Sequence, residues 1–490
     1  MSRDGDLILV LDAGTTSTRA MLLAPDGALR AVAQRELTQF YPEAGWVEHD
    51  AAEIWDKTLA CARDVVEQAG GADAVACIGI TNQRETVVAW DRQTLRPLHH
   101  ALVWQDRRTA EFCAALKNAG QEPVVQAATG LLLDPYFSAT KMRWLIDHVP
   151  AVKAAAAAGR LALGTVEDWL VCKLTGGAHL TDASNASRTL LLPLAGVGWD
   201  EGLCDLFGVP SSALGEVTDN AGEFGRSDPE LLGRAIPITG LAGDQQSATI
   251  GQGCLAPGET KATYGTGAFV LANMGDALPR SGNRLLGTVL CQLGGARTYA
   301  LEGSVFVAGS LVKWLRDSLG MIASAAETEE LARSVPDSGG VVIVPALSGL
   351  GAPHWNPAAR GVITGMSFAT TRAHVARAAL EAMAMQTADL ARAFAADGAA
   401  WTSLRIDGGM SANDWMAQDL ANVLGLPVER PDFFETTALG AAMLASVGAG
   451  LHGSLEAAAG AMRGGVRHFM PDGSNAAGRH AAWQRALLAV

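Results

Sequence analysis

The sequence predicts an α/β protein of two similar units with a ligand site in the cleft between them. At 490 residues the chain is too long for one ordinary hydrophobic core and comfortable for two. Buried-type strand runs alternate with amphipathic helical stretches, and 55 glycines suit many tight strand-to-helix turns. Each half opens on a strand–turn–strand whose bend is small and rich in Gly and Thr.

The first unit begins with the strand run Leu7 to Leu11, the polar turn Asp12 to Thr18 and a returning strand, Arg19 to Leu23. A Pro25-Asp26-Gly27 turn leads to a third, alternating strand, Leu29 to Leu37. Helical periodicity starts near Asp50, a suitable N-cap, with Ile54, Leu59, Ala60 and Val65 on one face. Ala74 to Ile80 is a further buried strand that ends at the polar stretch Thr81 to Thr86. The Ala-rich segment Val152 to Ala158 reads as a helix from intrinsic propensity alone.

The second unit begins after about residue 250. Glu259 to Leu271 is a strand, a Gly turn at Tyr264-Gly-Thr-Gly267, and a strand. A strand at Val341 to Pro345 and a long helix from Thr371 to Ala395 follow. The strand Leu404 to Asp407 runs into Gly408-Gly409 and a helix from Ser411 to Leu424. Ser411 and Asp414 have the spacing of a capping box, and Met416, Leu420, Val423 and Leu424 share one face.

Composition narrows the function classes. Apolar residues make up 49% and charged ones 18%, the balance of a globular chain. The formal net charge of −14 argues against a broad nucleic-acid surface, which needs a basic face. A phosphorylated ligand would have to be held locally, by backbone N–H groups, a few cations and a metal ion. The seven cysteines are scattered without a CxxC pair, which points to reduced, buried thiols and not to a disulfide frame or zinc site. Met1 to Asp6 is polar, so a signal peptide is not expected. No apolar run of about 18 residues appears, so no membrane span is expected. These features together predict a cytoplasmic protein.

Four stretches have the chemistry of a site. In Asp12-Ala-Gly-Thr-Thr-Ser-Thr-Arg19, hydroxyls and N–H groups can cradle phosphate oxygens and Arg19 adds a cationic fork. Asp12, at the strand end beside them, is placed to hold Mg²⁺ through water. An ordinary β-turn with solvated Ser and Thr would leave the same pattern. Thr263 to Ala268 offers the same chemistry from the other half, and two such hairpins make a clamp. Gly408-Gly409 leaves backbone bare for a base or ribose, or is simply a turn. Gly243-Asp-Gln-Gln246 follows a strand from Ile236 to Leu241. Its Asp244 would be ionised near neutral pH and able to take a hydroxyl proton, or it is simply a turn aspartate or caps the helix that follows. There is no GxxxxGK[ST], no HRD…N with DFG, no GxSxG elbow and no HExxH, which removes P-loop NTPases, protein kinases and common hydrolases.

From about residue 7 to 450 the chain resembles the FGGY carbohydrate kinases. The resemblance rests on Gly45-Trp-Val-Glu-His-Asp50, Gly79-Ile-Thr-Asn-Gln-Arg-Glu-Thr86, Val103-Trp-Gln105, Asp134-Pro-Tyr-Phe-Ser138, Asn185-Ala-Ser-Arg-Thr189 and Gly243-Asp-Gln-Gln246. Tyr264-Gly-Thr-Gly267, Leu301-Glu-Gly303, Gly349-Leu-Gly-Ala-Pro353 and Asp407-Gly-Gly409 continue it in the same order. Asn82-Gln-Arg-Glu85 with Asp134-Pro-Tyr-Phe137 is similar to members that phosphorylate glycerol and not a pentulose.

The resemblance implies two actin-like (ribonuclease H-like) domains, residues 1–252 for polyol and phosphate and 253–490 for nucleotide, with the active site in the interdomain cleft. It implies ATP as phosphoryl donor, Mg²⁺, and glycerol as acceptor giving sn-glycerol 3-phosphate. Arg84 and Glu85 would bind glycerol hydroxyls, since Arg only donates, a carboxylate only accepts, and a hydroxyl does both. Tyr136 and Gln245 would join them, Trp104 and Phe269 would pack on the carbon backbone, and Asp244 would be the base. Thr15, Thr16, Ser17, Arg19, Thr266, Gly309, Lys313, Gly409 and Asn413 match nucleotide-contacting positions. A dimer or tetramer is also implied.

The chain departs from the family pattern at Ala13 and Lys313, both usually Gln. Glu230 to Arg234 does not reproduce the Gly-rich loop that binds fructose 1,6-bisphosphate in some members, and Met470 to His480 departs as well. Three alternatives stay open: a kinase of another polyol or ketose, a catalytically silent polyol sensor, and an actin-like filament or chaperone ATPase. The last leaves the Arg84, Glu85 and Tyr136 group unexplained.

Overall fold

The computed structural model describes residues 6–356, 358–433, 435–473 and 477–490. The N-terminal stretch read against a signal peptide therefore lies almost wholly outside the described residues, as does the middle of the Met470–His480 segment.

Two sheets share one plan. The first contains β1 (Leu7–Ala13), β2 (Ser17–Leu23), β3 (Leu29–Glu36), β4 (Val75–Asn82) and β5 (Ile238–Gly243), ordered β5-β4-β1-β2-β3. β1 to β3 form an antiparallel meander, while β4 and β5 add in parallel beyond β1. β1 and β4 are paired on both edges and buried almost throughout, so they read as unbroken apolar runs without alternation. The crossover helix α1 (Ala51–Gln68) starts where expected: the Asp50 carboxylate accepts the Ala52 N–H at 2.8 Å.

The second sheet contains β6 (Glu259–Tyr264), β7 (Ala268–Gly275), β8 (Leu286–Leu293), β9 (Ala296–Val305), β10 (Ser403–Asp407), β11 (Val428–Pro431) and β12 (Val466–Phe469). Its order is β8-β9-β7-β6-β10-β11-β12. Without the edge strands β8 and β12, it repeats the first sheet: β9-β7-β6 antiparallel, then β10 and β11 parallel. The duplicated unit expected from the two hairpins is present.

The helices that matter for the site are α2 (Ser138–His148), α3 (Asp244–Gly251), α4 (Gly309–Asp317), α5 (Arg372–Ala396), α6 (Asp414–Leu424) and α7 (Thr436–Gly448). The capping box expected at Ser411 is not formed. After β10 the chain makes a 3-10 turn, Gly409–Ala412, and α6 begins later, capped by Asn413, whose Oδ1 accepts the Met416 N–H at 2.9 Å. The Ser411 hydroxyl instead donates to the Gly408 carbonyl at 2.7 Å, so it serves the turn and not the helix.

α7 has an apolar sequence with buried residues from Thr436 to Ser446 and packs on β5, β4, β1 and α3. A helix of the second half thus seals one face of the first sheet. All seven cysteines are buried free thiols. Among the described residues no helix is long and apolar enough to cross a membrane.

Candidate active site

β4 and β5 are parallel neighbours with Asn82 opposite Gly243, so the segments that follow them emerge side by side at one edge of the cleft. After β4 come Gln83, Arg84 and Glu85, all buried. Glu85 has φ +61°, a left-handed conformation that a side-chain-bearing residue adopts at a cost and that recurs at functional sites. After β5 comes Asp244, the first residue of α3. A Cβ on Gly243 would lie 2.7 Å from Arg84 Cγ, so only glycine there lets the arginine stem pass.

Asp244 Oδ1 lies 3.3 Å from Arg84 Nε and accepts the Gln245 N–H at 2.7 Å. Its side chain remains 30% exposed while that of Arg84 is 2% exposed, so the carboxylate is the member of this pair that faces the cleft. Burial pushes its pKa up to about 6, against the pull of Arg84 and Lys261 and with the help of Glu85.

Arg84 is held by a carboxylate from the other half. Its two Nη atoms donate to Glu302 at 2.6 and 3.2 Å, and Nη2 also reaches the Tyr136 hydroxyl at 3.4 Å. Glu302 accepts in addition from Arg188 Nη2 at 3.1 Å, and Arg188 Nε donates to Glu85 at 2.7 Å. Burial alone would raise Glu302, but Arg188 and Arg84 outweigh it and hold the acid at about 2. Glu302 is therefore ionised throughout the physiological range.

Three aromatic residues border this charge cluster. The Trp104 ring stands edge-on to Tyr136 at 5.7 Å and to Phe269 at 6.5 Å, and its indole N–H donates to Thr15 Oγ1 at 2.9 Å. Tyr136 is fixed from behind. The ammonium of Lys141, on α2, donates to the carbonyls of Pro135, Tyr136 and Phe137 at 2.6–2.9 Å, and Arg107 pairs with Asp134 at 2.6 Å. Gln245 Oε1 accepts from Lys261 Nζ at 2.7 Å, which also donates to Thr263 Oγ1 at 2.8 Å. Arg84, Glu85, Trp104, Tyr136, Asp244, Gln245 and Phe269 are thus linked by contacts within one cluster. None stands alone.

The phosphate-type positions fall on two hairpin tips. In the first, Gly14 N–H donates to Ser17 O at 3.0 Å, Ser17 Oγ accepts from Gln34, and Thr16 is exposed. Arg19 pairs with Asp12 at 2.8 Å and with Glu435 at 2.5 Å, so its charge is shared between two acids. At the second tip, Thr266 is exposed and its carbonyl accepts the Ala308 N–H at 2.9 Å, while Gly309 N–H donates to Gly265 O at 2.9 Å. The N-terminus of α4 is thereby docked on the hairpin, with Lys313 exposed one turn along. Gly409 is exposed beyond β10, which pairs with β6 at Asp407 and Thr263. Asn413 is different: both ends of its amide are taken, by the Met416 N–H and by Thr328 Oγ1 at 3.2 Å.

Sequence reading assigned no role to Glu302, Arg188, Lys261, Gln246 and Glu435. A signal existed for two of them, because Leu301-Glu-Gly303 and Asn185-Ala-Ser-Arg-Thr189 were conspicuous stretches. Glu302 is a lone acid in a strand that is otherwise apolar or small near its end. Its partners Arg84 and Arg188 are 218 and 114 residues away, so no local spacing could reveal the pairing.

Comparison with known proteins identifies the family. Residues 7–251 match the model for the N-terminal domain of the FGGY family of carbohydrate kinases, and residues 260–449 match that for its C-terminal domain. The chain is 53% identical over 489 residues to the glycerol kinase of Methylobacterium nodulans, covering 98% of this chain and 97% of that one. It is 56% identical over 449 residues to the glycerol kinase of Rhodospirillum centenum, covering 91% and 90%. Among solved structures, Plasmodium falciparum glycerol kinase with ADP superposes with a TM-score of 0.93 at 35% identity, covering 99% and 98%. The xylulose kinase of Rhodospirillum rubrum gives 0.88 at 27% identity, again over 99% and 98%. With two actin-like units and a cleft cluster of this composition, the chain belongs to the FGGY family of carbohydrate kinases.

Proposed function

We propose that this protein transfers the γ-phosphoryl group of ATP to a terminal hydroxyl of glycerol, giving sn-glycerol 3-phosphate. The observation that carries the reading is the partly exposed carboxylate of Asp244, held 3.3 Å from Arg84, whose guanidinium reaches Tyr136 in an aromatic group with Trp104 and Phe269. Such a pocket offers a three-carbon polyol what it needs. Arg84 and Tyr136 donate to hydroxyls, Glu85 and Asp244 accept from them, and the rings cover the CH faces. Asp244 accepts the proton of the attacking hydroxyl, and the N–H groups and hydroxyls of the two hairpin tips receive the charge of the phosphoryl group in flight.

Mg²⁺ fits the first hairpin. Asp12 is 4% exposed and gives one oxygen to Arg19, while Oδ1 has no protein partner among the described residues. That oxygen is a hard ligand for a hydrated cation. A bound Mg²⁺ there would help neutralise the phosphate charge of the nucleotide. Thr15, Thr16, Ser17, Thr266, Gly309, Lys313 and Gly409 serve the nucleotide, and Arg19 serves it through its pairing with Asp12. Asn413 contributes by holding the start of α6. Residues 1–252 and 253–490 act as the two closing domains, in the cytoplasm and as a dimer or tetramer, for which light scattering after gel filtration is the test.

The deciding experiment is coupled ADP release with MgATP against glycerol, dihydroxyacetone, erythritol, xylitol and xylulose. The highest kcat/KM is expected for glycerol. A larger value for another polyol or for xylulose moves the substrate and keeps the mechanism. Glycerol binding without turnover overturns the reading in favour of a sensor.

A further inference from the structure

We propose that Glu302, supplied by the second sheet, is the positioning residue that orients the Arg84 guanidinium toward the polyol and restrains it from pairing fully with the base Asp244. The inference rests on the glycerol-kinase reading above and deepens it.

Glu302 is fully buried on β9, among strand residues of the second half, yet both its hydrogen-bond partners, Arg84 and Arg188, come from the first. Arg84 spends both Nη atoms on it, at 2.6 and 3.2 Å, in a fork-to-fork arrangement that fixes the plane of the guanidinium as well as its position. Only the Nε edge then remains for Asp244, at 3.3 Å. Arg188 closes a ring: its Nη2 reaches Glu302 at 3.1 Å, its Nε reaches Glu85 at 2.7 Å, and Glu85 lies 3.9 Å from Arg84 Nε. Two cations and two anions alternate, so a buried cluster beside a neutral substrate carries no net charge. Without Glu302, Arg84 and Arg188 would face each other with one acid fewer. The carboxylates left beside Arg84 are then Asp244, 3.3 Å from its Nε, and Glu85, 3.9 Å from it, and Glu85 is already held by Arg188. An arginine drawn onto the base would weaken it as a proton acceptor and leave the polyol without its oriented donor.

The ring also explains why no single half contains the polyol site. Its three first-half members reach their geometry only against an acid from β9, so binding of glycerol is tied to the apposition of the two sheets. A buried ion pair is weak evidence for stability in itself, which makes an orienting role the more economical account of four buried charges.

The test compares wild type, Glu302→Gln and Glu302→Asp, with thermal melts confirming that each variant is folded. Charged groups facing Asp244 are Arg84, Glu85 and Lys261, and those facing Glu302 are Arg84, Arg188 and Lys261. Glu302→Gln keeps the shape and removes the charge. It is expected to raise KM for glycerol on the order of 10- to 100-fold, with KM for ATP changed little. It should also move the acid limb of kcat/KM for glycerol to lower pH, because Arg84 then acts on Asp244 undiminished. Glu302→Asp retains the charge, so its acid limb should stay at the wild-type position even where its KM rises. An acid limb and a glycerol KM unmoved in Glu302→Gln, with only the melting temperature lowered, would reduce Glu302 to structural glue and overturn the inference. If wild type itself fails to turn over glycerol, the functional reading fails first, and the two failures are thereby distinguished.

Discussion

Asp244 can take a proton only when ionised, and its surroundings decide where that happens. An ordinary aspartate ionises near pH 4, but burial lifts this one to about 6 in spite of Arg84 and Lys261. The sign follows directly: below about pH 6 the carboxylate becomes protonated, and with Asp244 as the proposed base kcat/KM for glycerol should fall by about tenfold per pH unit. A profile flat down to pH 4.5 would remove Asp244 from the role. Asp244→Asn, which keeps the size and loses the basicity, should lower kcat on the order of 10²- to 10⁴-fold. Near-normal turnover by that variant is the contrary result. Lys141 shows the opposite use of burial. Its pKa is pushed down to about 8, yet three carbonyls take its N–H groups, so it tethers the loop of Tyr136 and does no chemistry.

Among the elements, the junction of β5 with α3 is the most constrained. It must end a parallel strand, begin a helix, present Asp244 and let Arg84 pass, all at Gly243. A methyl there would meet Arg84 at 2.7 and 2.8 Å while the arginine head is pinned by Glu302. Gly243→Ala should therefore displace the guanidinium and reduce kcat/KM for glycerol by about tenfold or more, since small misplacements in a site are amplified in rate. Kinetics of the purified variant check this, and an unchanged kcat/KM would mean that Arg84 is not confined there. The Asp244 position also answers an ambiguity of the sequence. It is the first residue of α3 and not its cap, which is Gly243 without a side-chain cap bond; its carboxylate accepts only the next N–H and stays 30% exposed.

At the scale of the molecule, the two sheets are joined by helices that cross between halves. α7 comes from the second half and buries itself on the first sheet beside α3, with contacts too close for side chains. A Cβ on Gly440 would lie 1.8 Å from the Ser247 carbonyl oxygen. Gly440→Ala should force α3 and α7 apart and destabilise the protein by about 1–3 kcal/mol or more, read as a lower melting temperature. A melting temperature at or above that of wild type would contradict this packing. Because α3 begins with Asp244, such a shift should also reach the active site and lower kcat.

Much of the architecture was legible in the sequence because it depends on local patterns. Unbroken apolar runs marked β1 and β4 as central strands, Asp50 marked the start of α1, and the paired Gly/Thr hairpins marked the duplication. Arg84, Glu85, Tyr136 and Asp244 stood out because their stretches resembled a family. The start of α6 was misplaced at Ser411, since the spacing of a capping box cannot say whether a 3-10 turn comes first. What the sequence by itself determined is the run of elements, their duplication and the residue types available for chemistry, all encoded in neighbours along the chain. Only the tertiary structure decided that Glu302, Arg188 and Lys261 complete the site and that Asp244 is lifted to about pH 6. Ion pairing and desolvation act through space, and the chain brings these groups together only when both sheets have formed and met.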